Sequence, residues 1–294
     1  MRALPSWSPS FVSDAFNLRW PAKKLLSCVT AVRVSSSSIG YETQAVGRLP
    51  RLFSELLPHS KGGVVRVQGD EYHHMTRVLR LNAGDKVELF NGKGVLLEGC
   101  IQSVDRAGLE VVALEDPKSL PHFGPKWHVV AAFGTLKGGR ADWLLEKCTE
   151  LGASSVTPLL TDRSNSISDN RVDRLGRVIL AAAKQCQRLH EMILHPPMRV
   201  TELLPRVSES KLSLLAAANA IPVASVLESS TIETSGLIII GPEGDLTEKE
   251  KNLIVDAGAI AVGLGPLRLR VETATIALLS ALMLWSDSRN PSNK

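Results

Sequence analysis

The sequence predicts an α/β protein in two parts, a small N-terminal β-barrel or sandwich and a larger domain on a mainly parallel sheet. Three observations predict it. Short apolar runs recur at roughly ten-residue spacing between Arg51 and Leu114, as in small all-β units. Strand and helix patterns alternate after Lys126, which argues a parallel sheet covered on both faces. Between them lies a stretch with Pro117, Pro121 and Pro125 that reads as a linker.

The first part, residues 51–116, holds strands at Val64–Val67, Val87–Phe90, Val95–Ile101 and Leu109–Leu114. Turn signals separate them: Gly62-Gly63, Asn82-Ala83-Gly84-Asp85, Asn91-Gly92 and Arg106-Ala107-Gly108. One helical insert fits Asp70–Arg80. The linker spans residues 117–125, and the larger domain spans residues 126–287 before a short tail, 288–294. In that domain Trp127–Phe133 is a strand. Asp142–Leu151 is a helix with Leu144, Leu145, Cys148 and Leu151 on one face, stopped by Gly152. Val156–Leu160 is the next strand. Val172–Leu189 repeats apolar residues every three to four positions, an amphipathic helix. Leu212–Ala216 and Gly236–Ile240 are strands. Thr247-x-x-Glu250 is a capping box opening a helix that ends at Gly258. Ala259–Leu264 is a strand, and Glu272–Trp285 the closing helix.

Residues 1–50 read differently. They are serine-rich and acid-poor, without a sustained period, the composition of an organelle transit peptide. An ordinary disordered tail is the alternative. Serine richness favours a chloroplast over a mitochondrion. The formal charge of the 294 residues is +4. It lies wholly in this leader, which has Arg2, Arg19, Lys23, Lys24, Arg33 and Arg48 against Asp14 and Glu42. The remainder is neutral, so any nucleic-acid contact must rest on local patches. No apolar run is long enough to span a bilayer. Cys28, Cys100, Cys148 and Cys186 show no paired spacing, which suggests neither a zinc site nor a disulfide framework.

The segment Gly236–Ser280 is the most informative. It runs strand, Gly241-Pro242-Glu243-Gly244-Asp245, helix, strand, Gly263-Leu264-Gly265-Pro266-Leu267-Arg268-Leu269-Arg270-Val271-Glu272-Thr273-Ala274, helix. Ligands of open α/β sheets sit beyond the carboxyl ends of strands. Both glycine-rich turns fall there, and glycine lets main-chain groups approach a ligand. Two such loops could hold an adenosine-sized group; two ordinary βα turns would look the same. No Gly-x-Gly-x-x-Gly follows the first strand and no Walker lysine is present, which argues against dinucleotide and nucleoside-triphosphate binding.

The wording Ile240-Gly241-Pro242-Glu243-Gly244 and Leu264-Gly265-Pro266, with Leu269-Arg270-Val271-Glu272-Thr273-Ala274, resembles the RsmE-type 16S rRNA uridine-N3 methyltransferases of the SPOUT superfamily. Three further stretches agree. They are Gly134-Thr135-Leu136-Lys137-Gly138-Gly139-Arg140 with Leu145–Ala153, Ala182–Arg188, and Arg51-Leu52-Phe53 with His73–Arg80. The resemblance covers Arg51 to Trp285. It implies a PUA-like RNA-binding barrel and a SPOUT α/β domain with a deep C-terminal trefoil knot. It also implies S-adenosylmethionine as cofactor, and a homodimer acting on small-subunit rRNA or a pre-ribosomal particle; the apolar runs and cysteine spacing above call for no membrane and no metal partner. By the match, Ile240, Gly241, Pro242 and Gly244 line one cofactor loop and Leu264, Gly265 and Leu269 the next. Two positions depart from the family. Asp245 stands where a second glycine is usual, and Lys184 where an acid is usual.

Methylation of uridine N3 spreads negative charge onto O2 and O4 as the proton leaves, and a fixed cation there stabilises it. Arg270 is the candidate; a salt bridge to Glu272 is its bland alternative. Glu243 and Glu272 are the carboxylates that could orient the base or accept a proton, and Glu272 could equally neutralise its helix N-terminus. Lys137, Arg140, Arg163 and Arg188 are candidates for phosphate contact, as are Arg77 and Arg80 of the barrel. Of His73 and His74, one is expected to pack on the barrel and one to face solvent. The rival from another class is a catalytically silent RNA-binding or ribosome-assembly factor, which Asp245 would favour. A tRNA substrate is a third reading.

Overall fold

The computed structural model describes residues 49–122, 124–164, 166–230 and 235–289. The leader predicted at residues 1–50 lies outside them except for its last two residues, and so does most of the predicted tail.

The first part is a curled six-stranded sheet. Its strands are β1 (Arg51–Phe53), β2 (Val64–Val67), β3 (Lys86–Phe90), β4 (Val95–Val104), β5 (Leu109–Ala113) and β6 (Lys118–Ser119). The order is β1-β3-β4-β5-β2, with β6 also on β4. Pairing is antiparallel except for β1 on β3. In β5 alternate residues Leu109, Val111 and Ala113 are buried, the period-2 signal of a half-buried strand. Helix α1 (Gly69–His73) runs on into a π-helical turn, His74–Val78, whose Met75 plugs the sheet. This matches the helical insert expected there. Contrary to expectation, both His73 and His74 are exposed, with the His73 ring against Tyr72.

The proline-rich linker is not free. Lys118 and Ser119 pair with Leu96 and Val95, and Leu120 N donates to Gly94 O at 2.8 Å. Pro117 and Pro121 bracket the strand, since neither supplies a ladder donor.

The second part alternates as predicted. Its elements are β7 (Lys126–Ala131), α2 (Arg140–Glu150), β8 (Ser155–Leu160), α3 (Asp169–Gln185), β9 (Ile193–Leu194), β10 (Met198–Arg199), α4 (Val200–Glu209) and β11 (Ser213–Pro222). Then follow α5 (Val223–Ser229), β12 (Ser235–Ile240), α6 (Glu248–Asp256), β13 (Ile260–Gly263) and α7 (Val271–Ser288). The sheet is parallel, in the order β10-β8-β7-β12-β11-β13, with β9 also on β8. Successive residues of a strand serve opposite faces. Val129 and Ile238 pack under α2, α3 and α7, whereas Val130 and Ile239 pack under α4 and α6. Burial on both faces explains the unbroken apolar runs. Sequence reading missed β9, β10, α4 and α5. The two strands are only two residues long, and Pro205 inside α4 reads as a helix breaker.

Trp127 of β7 is fully buried and donates Nε1 to Ser286 Oγ of α7 at 3.1 Å. Its register partner in β12 is Gly236. A Cβ there would lie 2.3 Å from the indole, so the glycine is the room the ring needs.

The two parts are stitched together. Glu191 N donates to Gly92 O at 2.7 Å and Gly94 N to Leu189 O at 2.8 Å. Lys184 of α3 pairs with Glu71 of α1 at 3.2 Å and lies 4.6 Å from the Phe53 ring centroid. The lysine at this departure from the family pattern is therefore a bridge to the barrel.

The capping box forms as read. Thr247 Oγ1 accepts from Glu250 N, and Glu250 Oε2 accepts from Thr247 N. Buried Glu250 also accepts Asp162 N through Oε1 at 2.9 Å. Thr247→Ala is expected to cost about 1 kcal/mol, measured as a shift in the urea midpoint; an unchanged midpoint would show that Glu250 alone holds the helix start.

Candidate functional site

Beyond the carboxyl ends of β12 and β13, and over the middle of β11, lies a cavity of about 500 Å³, within the range of small-molecule sites. Two of its walls are the glycine-rich loops singled out in the sequence. Ile240, Gly241, Pro242 and Gly244 line one side, and Leu264, Gly265 and Leu269 the other. Gly265 sits at φ +109°, and a Cβ there would meet no protein atom within 4 Å. The positive φ demands glycine whatever the space around it. Gly265→Ala is expected to weaken cofactor binding about tenfold, through strain of about 1–2 kcal/mol in the loop; calorimetric titration with an unchanged Kd would refute this.

Sequence reasoning missed the third wall. Ala216, Ala217, Ala218 and Asn219 of β11 line it. The signal was a run of small residues, 216–218, directly after the apolar residues of the strand.

Three arginines clamp the Gly241–Asp245 loop. Arg140, at the start of α2, donates to Glu243 and lies 3.6 Å from Glu272 Oε1. Arg163 donates to the carbonyls of Gly244 and Asp245. Arg268 donates to Glu243 O at 2.7 Å. Arg140 and Arg163 were expected at phosphates; their guanidinium groups instead hold the loop. The capping box matters here, because Glu250 fixes Asp162 and so the position of Arg163. Arg171 of α3, also missed, donates to the carbonyls of Gly134 and Leu136 and pins the loop that leads to Arg140.

Asp245 adopts φ +66°, a left-handed conformation that explains why glycine suits this position and why Asp is among the tolerated replacements. Its carboxylate turns back on the chain, accepting Leu246 N at 2.8 Å and pairing with Lys251 at 2.9 Å. That contact raises the Lys251 pKa above its ordinary value. The helix itself is capped by Thr247, so Asp245 does not cap it.

Glu272, in the first turn of α7, is 7% exposed, and its Oε2 has no hydrogen-bond partner. It lies beside Arg140 rather than in the cavity wall. Glu243 does line the cavity. Arg270 is the N-cap residue of α7 with no side-chain capping bond. It is exposed, and no hydrogen bond or ion pair engages its guanidinium among the described residues. The alternative salt bridge to Glu272 does not form; Arg140 occupies that role.

Of the remaining candidates, Lys137, Arg77 and Arg80 are exposed. Arg188 is not available to RNA. Its Nε, Nη1 and Nη2 donate to the carbonyls of His190, Thr149 and Ala153 at 2.6, 2.9 and 2.6 Å. Burial pushes the Cys148 thiol up to about 12, so it supplies no thiolate nucleophile at neutral pH. Among the described residues, no group of three or more His, Cys, Asp or Glu could hold a metal, and no helix is long and apolar enough to cross a membrane.

A family model for an RNA methyltransferase domain matches residues 124–283, and one for an RNA methyltransferase PUA domain matches residues 67–114. The chain is 30% identical to the ribosomal RNA small subunit methyltransferase E of Bacillus subtilis over 235 residues, 75% of this chain and 90% of that protein. It is 30% identical to the protein of the same name from Synechocystis over 216 residues, 71% of this chain and 69% of that protein. A Legionella pneumophila protein solved with the cofactor SAM bound superposes with a TM-score of 0.66 at 26% identity, covering 81% of this chain and 98% of that one. A probable rRNA-methyltransferase from Porphyromonas gingivalis gives a TM-score of 0.70 at 25% identity, covering 82% and 99%.

Proposed function

Because the chain belongs to the RsmE-type RNA methyltransferase family of the SPOUT superfamily, we propose that it methylates N3 of a uridine in the small-subunit rRNA of an organelle ribosome. Its activity is S-adenosylmethionine-dependent rRNA methylation; the uridine atom and the compartment are our reading. The observation that carries the uridine assignment is Arg270, a cation without a partner among the described residues, beside a cavity built from two glycine loops.

The residues present fit the cofactor: the cavity is of small-molecule size, two glycine-rich loops bring main-chain groups to it, and its walls are mostly small or apolar. When bound, S-adenosylmethionine supplies a methyl group on a sulfonium. The chain's residues do the rest. The loops exclude water and fix orientation, which can supply roughly 7–11 kcal/mol of the barrier. Arg270 faces the charge that develops on uridine O2 and O4. Glu243, the carboxylate in the cavity wall, orients the base or takes the N3 proton. Arg140 holds Glu243 and ties it to Glu272, a positioning role. Lys137, Arg77 and Arg80 are exposed cations for the RNA backbone.

The composition of residues 1–50 supports delivery to a chloroplast. The knot, the homodimer and the pre-ribosomal substrate belong to the same reading by resemblance. Mass-spectrometric mapping of chloroplast small-subunit rRNA from a line lacking the protein tests it. Loss of one N3-methyluridine is expected; an unchanged modification pattern would refute the proposal. The silent-factor reading loses its motive, because the Asp245 carboxylate is engaged with Leu246 and Lys251.

A further inference from the structure

The third wall of the cavity has its own chemistry. Strand β11 pairs with β13 through Ala216 and again through Ile221, both against Val262. Residues 217–220 therefore bulge out of the ladder, over the cavity. Bulges re-aim side chains and are common beside binding sites. Gly263 of β13 seats this bulge: a Cβ there would lie 2.7 Å from Ala220 O. At its crest Asn219 takes φ +60°, a left-handed conformation in which Asn is strongly favoured over most side chains.

The polar side chains of the cavity wall are Asn219, Glu243, Asp245 and Arg268. Glu243 is engaged with Arg140, Asp245 with Leu246 N and Lys251, and Arg268 with Glu243 O. Asn219 makes no side-chain hydrogen bond among the described residues. It is the uncommitted donor and acceptor of the wall, and its immediate neighbours are alanines.

On the reading that this cavity takes S-adenosylmethionine, we infer that Asn219 recognises the adenine edge of the cofactor. The ligand offers three polar regions. Its ammonium and carboxylate call for charged partners, and its ribose diol for a carboxylate. The adenine edge offers the N6 amino donor beside a ring-nitrogen acceptor, the pattern that one carboxamide meets with two parallel hydrogen bonds. The ring faces need apolar walls, which Ala216 and Ala217 provide alongside Asn219.

Calorimetric titration with S-adenosylhomocysteine and its 1-deaza and 7-deaza analogues tests this without turnover. The variants are Asn219→Gly, which keeps the left-handed backbone free of strain, and Asn219→Asp, which keeps the shape and removes the donor. The wild type is expected to bind one deaza analogue about tenfold more weakly than S-adenosylhomocysteine, because that analogue leaves the carboxamide N–H unpaired. Both variants are expected to bind S-adenosylhomocysteine about tenfold more weakly and to lose that discrimination. A role confined to holding the bulge would weaken all three ligands equally and leave the wild-type ratio in place, which overturns the inference. So does unchanged affinity in Asn219→Gly. Failure of the wild type to bind S-adenosylhomocysteine at all would remove the cofactor reading itself, and this inference with it.

Discussion

Arg270→Ala is expected to lower kcat about 10²–10³-fold, the loss seen when one preorganised donor to a developing oxyanion is removed. The cofactor Kd should be nearly unchanged, since Arg270 does not line the cavity wall. Stability should change little, because the side chain caps no helix and its guanidinium is unpaired among the described residues. Arg270→Lys should recover part of the rate, since it keeps the charge but not the planar fork. Single-turnover methylation of an rRNA fragment measures this. A variant with a normal rate constant and a raised KM would place Arg270 on the RNA backbone instead.

Arg188→Met is expected to be the most destabilising of the arginine changes. The wild-type side chain satisfies three main-chain carbonyls from α2, the turn after it and the segment after α3. Charged hydrogen bonds of this kind are worth about 1.5–3 kcal/mol each, and carbonyls left without a donor cost more than a bond never made. A loss of about 3 kcal/mol or more corresponds to a Tm lower by roughly 6–12 °C in a protein of this size. The salt dependence of RNA binding should stay as in the wild type, whereas Lys137→Ala should lower its slope by about one. An unchanged Tm with a lowered slope in Arg188→Met would return this residue to the RNA interface.

These two arginines show where sequence reading reaches and where it stops. Strand–helix alternation, the capping box and both glycine-rich loops are short-range signals, and the structure carries each as read. The fate of an arginine is long-range. Arg140, Arg163 and Arg188 look alike in the chain. Only packing shows that the first meets Glu243 103 residues on, the second a carbonyl 81 residues on, and the third the far end of α2. Arg270 differs because it stands at a helix entrance where no acceptor among the described residues converges on it. The β11 wall escaped for a related reason. Alanines carry no chemistry of their own, and Asn219 acquires its position from a register shift against β13 that pairing alone creates. Pro205 hid α4, since proline ends more helices than it sits in.

The backbone bonds between residues 92–94 and 189–191, with the Lys184–Glu71 pair, have a consequence for target choice. They tie the barrel to the methyltransferase domain at a defined spacing. On the proposal that Arg77 and Arg80 contact RNA, the nucleotide that reaches the cavity is selected by its distance from that contact as well as by its base. On the same proposal a target offered on a short fragment escapes that measurement, and methylation of the folded subunit RNA is expected to be the more selective.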